Sequence, residues 1–176
     1  MMLENDVIRL RAPELKDVND FYELENDSKY WSQSSTISPY SRYALRNYIM
    51  SSHDFYAERQ LRFVIELKQE SKAIGLIDLY DFAPHHKRAA VAVIIKDEFQ
   101  NKGFAGRSLS LLCEYSFSFL KIHQLYAHIP VTNEPSKRLF LHAGFKEKGL
   151  LNEWQQTVNG YVDVLIVSLV AGLSDN

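Results

Sequence analysis

The chain has 176 residues, 46% hydrophobic and 24% charged, proportions that fit one globular domain over residues 1–176 and exclude disordered, collagen-like and coiled-coil classes. Lys and Arg number 20 against 22 Asp and Glu, and the net charge of −2 excludes the clustered positive excess of a nucleic-acid binder. A lone cysteine, Cys113, forms no internal disulfide or zinc-finger set; neither the acidic start Met1–Asp6 nor the apolar run Val164–Ala171 is long enough for a signal core or a bilayer span, so a cytoplasmic chain with no membrane partner is expected.

Val7-Ile8-Arg9-Leu10-Arg11 alternates apolar and polar side chains and predicts a short strand. Pro13 suits a first helical turn, and Leu15, Val18, Phe21 and Tyr22 follow at helical spacing. Ser38-Pro39 offers a second helix start ahead of Ala44, Leu45, Tyr48 and Ile49. Between the two helices, Tyr30 to Tyr40 is polar and aromatic; its rings either line a pocket or cover a sheet end. Three strands come next. Leu61, Phe63, Ile65 and Leu67 alternate with Arg62, Glu66 and Lys68, so one buried face is expected, with Glu66 solvated. Ala73 to Tyr80 is the second strand, Asp81 to His86 a loop, and the apolar run Ala89 to Ile95 a strand covered on both sides.

The period then changes. A polar, glycine-bearing segment, Gln100 to Gly106, precedes a helix whose apolar face carries Leu109, Leu112, Cys113, Ser116, Phe117 and Leu120. Gln124 to Ile129 is a strand, Pro135 to His142 a short helix, and Gly144 its left-handed stop. A hairpin ends the pattern, from Phe145 to Val158, through an Asn159-Gly160 turn, to Tyr161 to Leu169. The fold class is α/β, with a mixed and mostly antiparallel sheet.

Chemistry concentrates between Ile94 and Gly106. Unpaired amides at a helix start make an anion site, Gly103 and Gly106 permit close approach to the main chain, and Lys102 adds charge at the mouth. A plain strand-to-helix turn is the competing reading. The segment lacks the ending of a phosphate-binding P-loop and follows antiparallel strands, so it is no dinucleotide fingerprint. His85-His86 reads as surface loop and no metal is expected, because adjacent side chains diverge and no third ligand is in view. Cys113 reads as a core filler.

Gln100-x-x-Gly103-x-Ala105, with Asn133-Glu134, Leu139-Phe140 and Ala143-Gly144-Phe145 further on, resembles the two coenzyme segments of the GNAT family of N-acetyltransferases. Leu10-Arg11-Ala12, Ala73 to Ile77 and Asn159-Gly160-Tyr161 are similar to the branch holding spermidine and ribosomal-protein N-terminal acetyltransferases. The resemblance implies a sheet whose fourth and fifth strands splay apart between flanking helices, with acetyl-CoA as co-substrate in the opening. It implies that the backbone of Val93, Ile94, Ile95 and Lys96 holds the acetyl and pantetheine portion. Gln100, Asn101, Lys102, Gly103, Phe104, Ala105 and Gly106 would wrap the pyrophosphate, with Asn133 and Phe140 on the opposite wall. It also implies direct transfer to a primary amine. A homodimer or higher homo-oligomer built partly on the carboxyl-terminal hairpin is expected as well, because the long apolar strand Val162 to Leu169 is a poor exposed edge.

In that family a tyrosine commonly protonates the leaving sulfur. Here the position is Phe140, so Tyr126, His128 or water is left to donate. Asp78, between Leu76 and Tyr80 on a strand, is the candidate base. The spermidine branch contacts its substrate with acids in the loop between the first helices and on the fourth strand; here those positions read Ser32 to Thr36 and Ala90. Peptide amino terminus, polyamine and small amine therefore all stand as acceptors. The absence of the tyrosine favours the alternative of a non-catalytic acyl-CoA-binding module.

Overall fold

In the computed structural model, which describes residues 2–31, 38–51 and 54–172, seven strands form one sheet. They are β1 (Ile8–Arg11), β2 (Leu61–Leu67), β3 (Lys72–Ala83), β4 (Arg88–Ile95), β5 (Gln124–Pro130), β6 (Lys146–Thr157) and β7 (Gly160–Val170), in the order β1-β2-β3-β4-β5-β7-β6. Neighbours are antiparallel except β4 and β5, which run parallel. The helices are α1 (Val18–Asn26), α2 (Ser28–Trp31), α3 (Arg42–Met50), α4 (Phe55–Glu58), α5 (Phe104–Ser118) and α6 (Glu134–His142). Phe21 and Leu24 of α1 with Leu45 and Ile49 of α3 pack on Val64, Ala73 and Leu76, one face of the sheet. Leu109, Leu111, Leu112 and Cys113 of α5 join the larger core on the other face, with Ile65, Ile77 and Leu125. The mixed α/β class is as expected from the sequence.

Long-range packing corrects several local expectations. The second main helix starts after Ser41, whose hydroxyl accepts from the Ala44 amide at 3.1 Å, and not after Ser38. β2 is buried on both faces, because α1 and α3 cover the side that alternation alone leaves to solvent. Glu66 is thus 0% exposed, held by Arg9 and Arg11 of β1. β3 runs on to Ala83 through an irregular stretch, because Phe82 stacks on Phe55 of α4 with ring centroids 4.1 Å apart. The hairpin turn consists of Val158 and Asn159, with Gly160 already paired to Thr157.

One close approach fixes β4. A Cβ on Gly75 would lie 2.2 Å from the Ile94 carbonyl oxygen, so glycine alone lets β3 press against β4 at that level. On its other side β4 pairs with β5 only at Arg88, Ala89 and Ala90. Beyond Ala90 the two strands part, and the sheet has an internal gap.

Candidate active site

The Lys96 amide donates to the Ile74 carbonyl at 2.9 Å, and the register continues without a break through Gly75–Ile95, Leu76–Ile94 and Ile77–Val93. Alternation in an antiparallel ladder then turns the amides and carbonyls of Val93 and Ile95 away from β3, toward the gap. The Ile95 carbonyl bears this out, accepting from Gln100 Nε2 at 2.9 Å and from the Tyr30 hydroxyl at 3.4 Å on that side. Splaying thus exposes main-chain donors without unfolding the strand.

A groove of about 1300 Å³ leads from the gap between the α5 and α6 walls. Val93, Ile94, Ile95, Gln100, Asn101, Gly103, Phe104, Ala105, Gly106 and Asn133 line it. The loop before α5 bends through two left-handed residues, Asn101 at φ 59° and Gly103 at φ 79°. Gly103 caps α5 without any side-chain hydrogen bond, and nothing lies within 4 Å of where its Cβ would be. The first amides of α5 are therefore open toward solvent space, an anion cradle. The α6 start differs, since Asn133 Oδ1 accepts from the Ser136 amide at 3.1 Å and Pro135 has no N–H. That leaves the Asn133 Nδ2 as a donor beside the groove.

Lys102 departs from its expected position. Lys102 donates to the Glu98 carbonyl at 2.7 Å and is not on the groove wall. Lys96 turns its ammonium to Asp20 on α1, leaving only its backbone near the gap. The cations on the wall are Arg107 and Arg138, which the motif-centred reading passed over. Cys113 also lines the groove, but burial pushes its thiol up to about 12, so it stays protonated and inert.

At the gap the groove meets a smaller cavity of about 120 Å³. Asn133, Ser136, Val93, Ile94 and Tyr30 line both spaces. Phe140, 3% exposed, forms one wall and meets Phe145 edge to face at 5.0 Å. Tyr30 and Trp31 line it as well, whereas Tyr40 does not; the polar segment Ser32 to Thr36 lies outside the described residues. Tyr30 is held by its hydroxyl donating to Asp97 at 2.9 Å, and Trp31 by its indole N–H donating to the Glu25 carbonyl at 2.8 Å.

The three proton-transfer candidates fare differently. Asp78 is on the cavity wall, but Arg62 Nε and Nη2 donate to its two oxygens at 2.8 and 2.7 Å, so both face the guanidinium. The Tyr126 hydroxyl donates to Asp81; burial first and then this acceptor raise its pKa well above the ordinary range, and the residue is not on the cavity wall. His128 is on the wall, with its ring edge-on to Tyr126 at 5.5 Å. Burial lowers the His128 pKa below its usual 6.5, against the opposing pull of the Asp81 charge, so the imidazole is neutral at pH 7. It can accept a proton more readily than give one.

Sequence reasoning missed Glu25, Arg62, Tyr80 and Ser136, which share this cavity. No local signal marks them, because they come from α1, β2, β3 and α6. Burial, followed by the charges of Asp78 and Asp81, raises the Tyr80 pKa, so its hydroxyl stays protonated.

The family model described as an acetyltransferase (GNAT) domain matches residues 8–146. Spermidine N(1)-acetyltransferase of Vibrio cholerae is 32% identical over 164 residues, covering 91% of this chain and 91% of its own. A solved structure of spermidine N-acetyltransferase from Vibrio cholerae in complex with CoA and spermine matches with a TM-score of 0.81 at 30% identity, over 94% of this chain and 96% of that one. A dodecameric structure of spermidine N-acetyltransferase from Vibrio cholerae, in an intermediate state, matches with a TM-score of 0.76 at 30% identity, over 94% and 95% of the two chains.

Proposed function

The chain belongs to the GNAT family of acetyltransferases, and from that membership we propose that it moves the acetyl group of acetyl-CoA directly to a primary amine of a polyamine. The observation that carries this reading is the β4–β5 gap, where an open anion cradle and a carboxylate-bearing cavity meet. The alternative of a non-catalytic acyl-CoA-binding module has no support from the relatives, which are named acetyltransferases.

Acetyl-CoA, when bound, supplies a thioester as acyl donor. The chain's part is to hold it, aim it and manage one proton. The open amides of Phe104, Ala105 and Gly106, with the α5 dipole, suit the pyrophosphate charge, and Arg107 and Arg138 flank it. Gln100 fixes the loop by holding the Ile95 carbonyl. The Val93 and Ile95 amides donate into the gap, where they favour negative charge growing on an acyl oxygen. An aliphatic amine of pKa near ~10.4 arrives as an ammonium. Neutral His128 accepts its proton, while Asp78 serves to orient Arg62. Phe140 has no proton to give, and Tyr80 carries a protonated hydroxyl on the same cavity wall.

A homo-oligomer is part of the same proposal. The hairpin leaves Leu150, Trp154, Val158 and Tyr161 exposed, and a relative is dodecameric. Light scattering on the purified chain checks it. Among the described residues no helix is long and apolar enough to cross a membrane, and we place the enzyme in the cytoplasm, where a lone buried thiol stays reduced. The test of function is thiol release from acetyl-CoA with spermidine, an α-amino peptide and a monoamine in parallel. Spermidine-dependent release with a monoacetylated product by mass spectrometry is expected. No release with any of the three acceptors would overturn the proposal.

A further inference from the structure

The small cavity holds one more negative charge than positive. Arg62 spends Nε and Nη2 on both oxygens of Asp78 and donates Nη1 to Glu25 Oε1 at 2.5 Å. Two carboxylates then face one guanidinium. Each Asp78 oxygen has a donor in this pairing, but Glu25 Oε2 has no partner among the described residues. The side chains of Glu25 and Asp78 are only 14% and 13% exposed, so water does not dissipate the excess.

A second, independent feature points the same way. Glu25 sits in the last turn of α1, whose carbonyl end carries partial negative charge, and no basic side chain of α1 lies in that turn. Tyr30, Trp31 and Tyr80 also line the wall, an aromatic surrounding that suits an organic cation. Resting on the reading of the chain as an amine acetyltransferase, we propose that Glu25 is the specificity-determining carboxylate: its Oε2 takes a second, protonated nitrogen of the acceptor. Arg62 is its positioning residue, gripping the other oxygen. The reactive amine gives its proton to His128 before transfer, while the remote nitrogen stays charged and takes Glu25 Oε2, a contact that a monoamine cannot make from its reactive position.

Calorimetric titration with CoA present tests this without relying on turnover. Wild-type protein should bind 1,4-diaminobutane at least ~10-fold more tightly than butylamine, the scale of one hydrogen bond to a charged group. Glu25→Gln should lose that ~10-fold preference while its affinity for butylamine and for CoA is unchanged. Glu25→Asp, which keeps the charge, should restore part of it. Equal wild-type affinity for the two amines overturns the proposal, and so does an undiminished preference in Glu25→Gln. If the glutamine variant does not fold, the wild-type diamine-to-monoamine ratio decides by itself. Failure of the acetyltransferase reading shows separately, as absent thiol release in a protein that still discriminates the two amines.

Discussion

Arg11 and Arg62 each hold two carboxylates, yet the two assemblies are built to different ends. Arg11 donates Nη1 and Nη2 to Asp17 at 2.7 and 2.8 Å and its Nε to Glu66. Arg9 takes the other Glu66 oxygen at 2.7 Å, and the Glu14 amide adds a donor to Asp17 at 2.7 Å. Two guanidiniums meet two carboxylates, every carboxylate oxygen is used, and the acids are 0% and 1% exposed. The Arg62 assembly has one guanidinium for two acids, leaves an oxygen free and faces a cavity. Charge balance separates them: a complete network fixes β1 to β2 and the α1 entry, whereas an incomplete one on a cavity is set to receive a cation.

The largest expected effect breaks the balanced assembly. Glu66→Gln leaves the buried Arg11 short of a counter-charge, with Arg9 still reaching solvent, and removing one member of a buried pair costs about 3–5 kcal/mol. Urea unfolding should register that loss, with kcat/KM of the folded enzyme unchanged. A cost within about 0.5 kcal/mol would class the Arg11 assembly with ordinary surface pairs and dissolve the contrast.

Adding a group to the open region should act on rate instead. Phe140→Tyr adds a hydroxyl to the cavity wall at position 140, and kcat should rise, by up to about 10²-fold for a new general acid. CoA affinity should not move, because the donor matters only as charge develops on sulfur. No gain in an otherwise active enzyme would mean that another group, Tyr80 first among them, already supplies the proton.

Asp78→Asn sharpens the comparison within the site. The amide keeps one acceptor for Arg62, so a stability cost of about 1–3 kcal/mol is expected, with kcat changed by less than about 10-fold. A fall in kcat by about 10²–10⁴ would instead make Asp78 the base.

The smallest effect separates the two regions by pH. Burial raises the Glu66 and Asp17 carboxyls, but the hydrogen bonds and charges of Arg11, with Arg9 at Glu66 and the Glu14 amide at Asp17, outweigh it and hold both below their ordinary values of 4.5 and 3.8. Their contribution is complete above those values and is lost as pH falls through the depressed native ones, since the unfolded chain then binds more protons. Unfolding free energy should therefore decline only below about pH 4.5, and less steeply in Glu66→Gln. Activity should lose its acid limb in a different window, below 6.5, where His128 protonates. Coincident profiles would tie both effects to unfolding.

Local patterns in the sequence determined much of this protein. The loop from Gln100 to Gly106 was legible because a strand end, glycines and a helix start are neighbours in the chain, and each constrains φ/ψ and hydrogen bonding over a few residues. The gap between β4 and β5 followed from resemblance, and the hairpin from its turn residues. Alternation along β2 was read correctly as a strand and wrongly as one-sided, because its second face is covered by α1 and α3, far away in sequence. Only the tertiary structure decided what the charges do. Glu66, Asp78 and Glu25 look alike as acids on regular elements, yet Arg62 reaches Asp78 across 16 residues and Glu25 across 37, while Glu66 meets Arg11 across 55. Whether such a carboxylate is sealed, half-used or solvated depends on Coulomb terms of short range in space with no fixed range in sequence, and those exist only once the sheet and helices have brought the partners together.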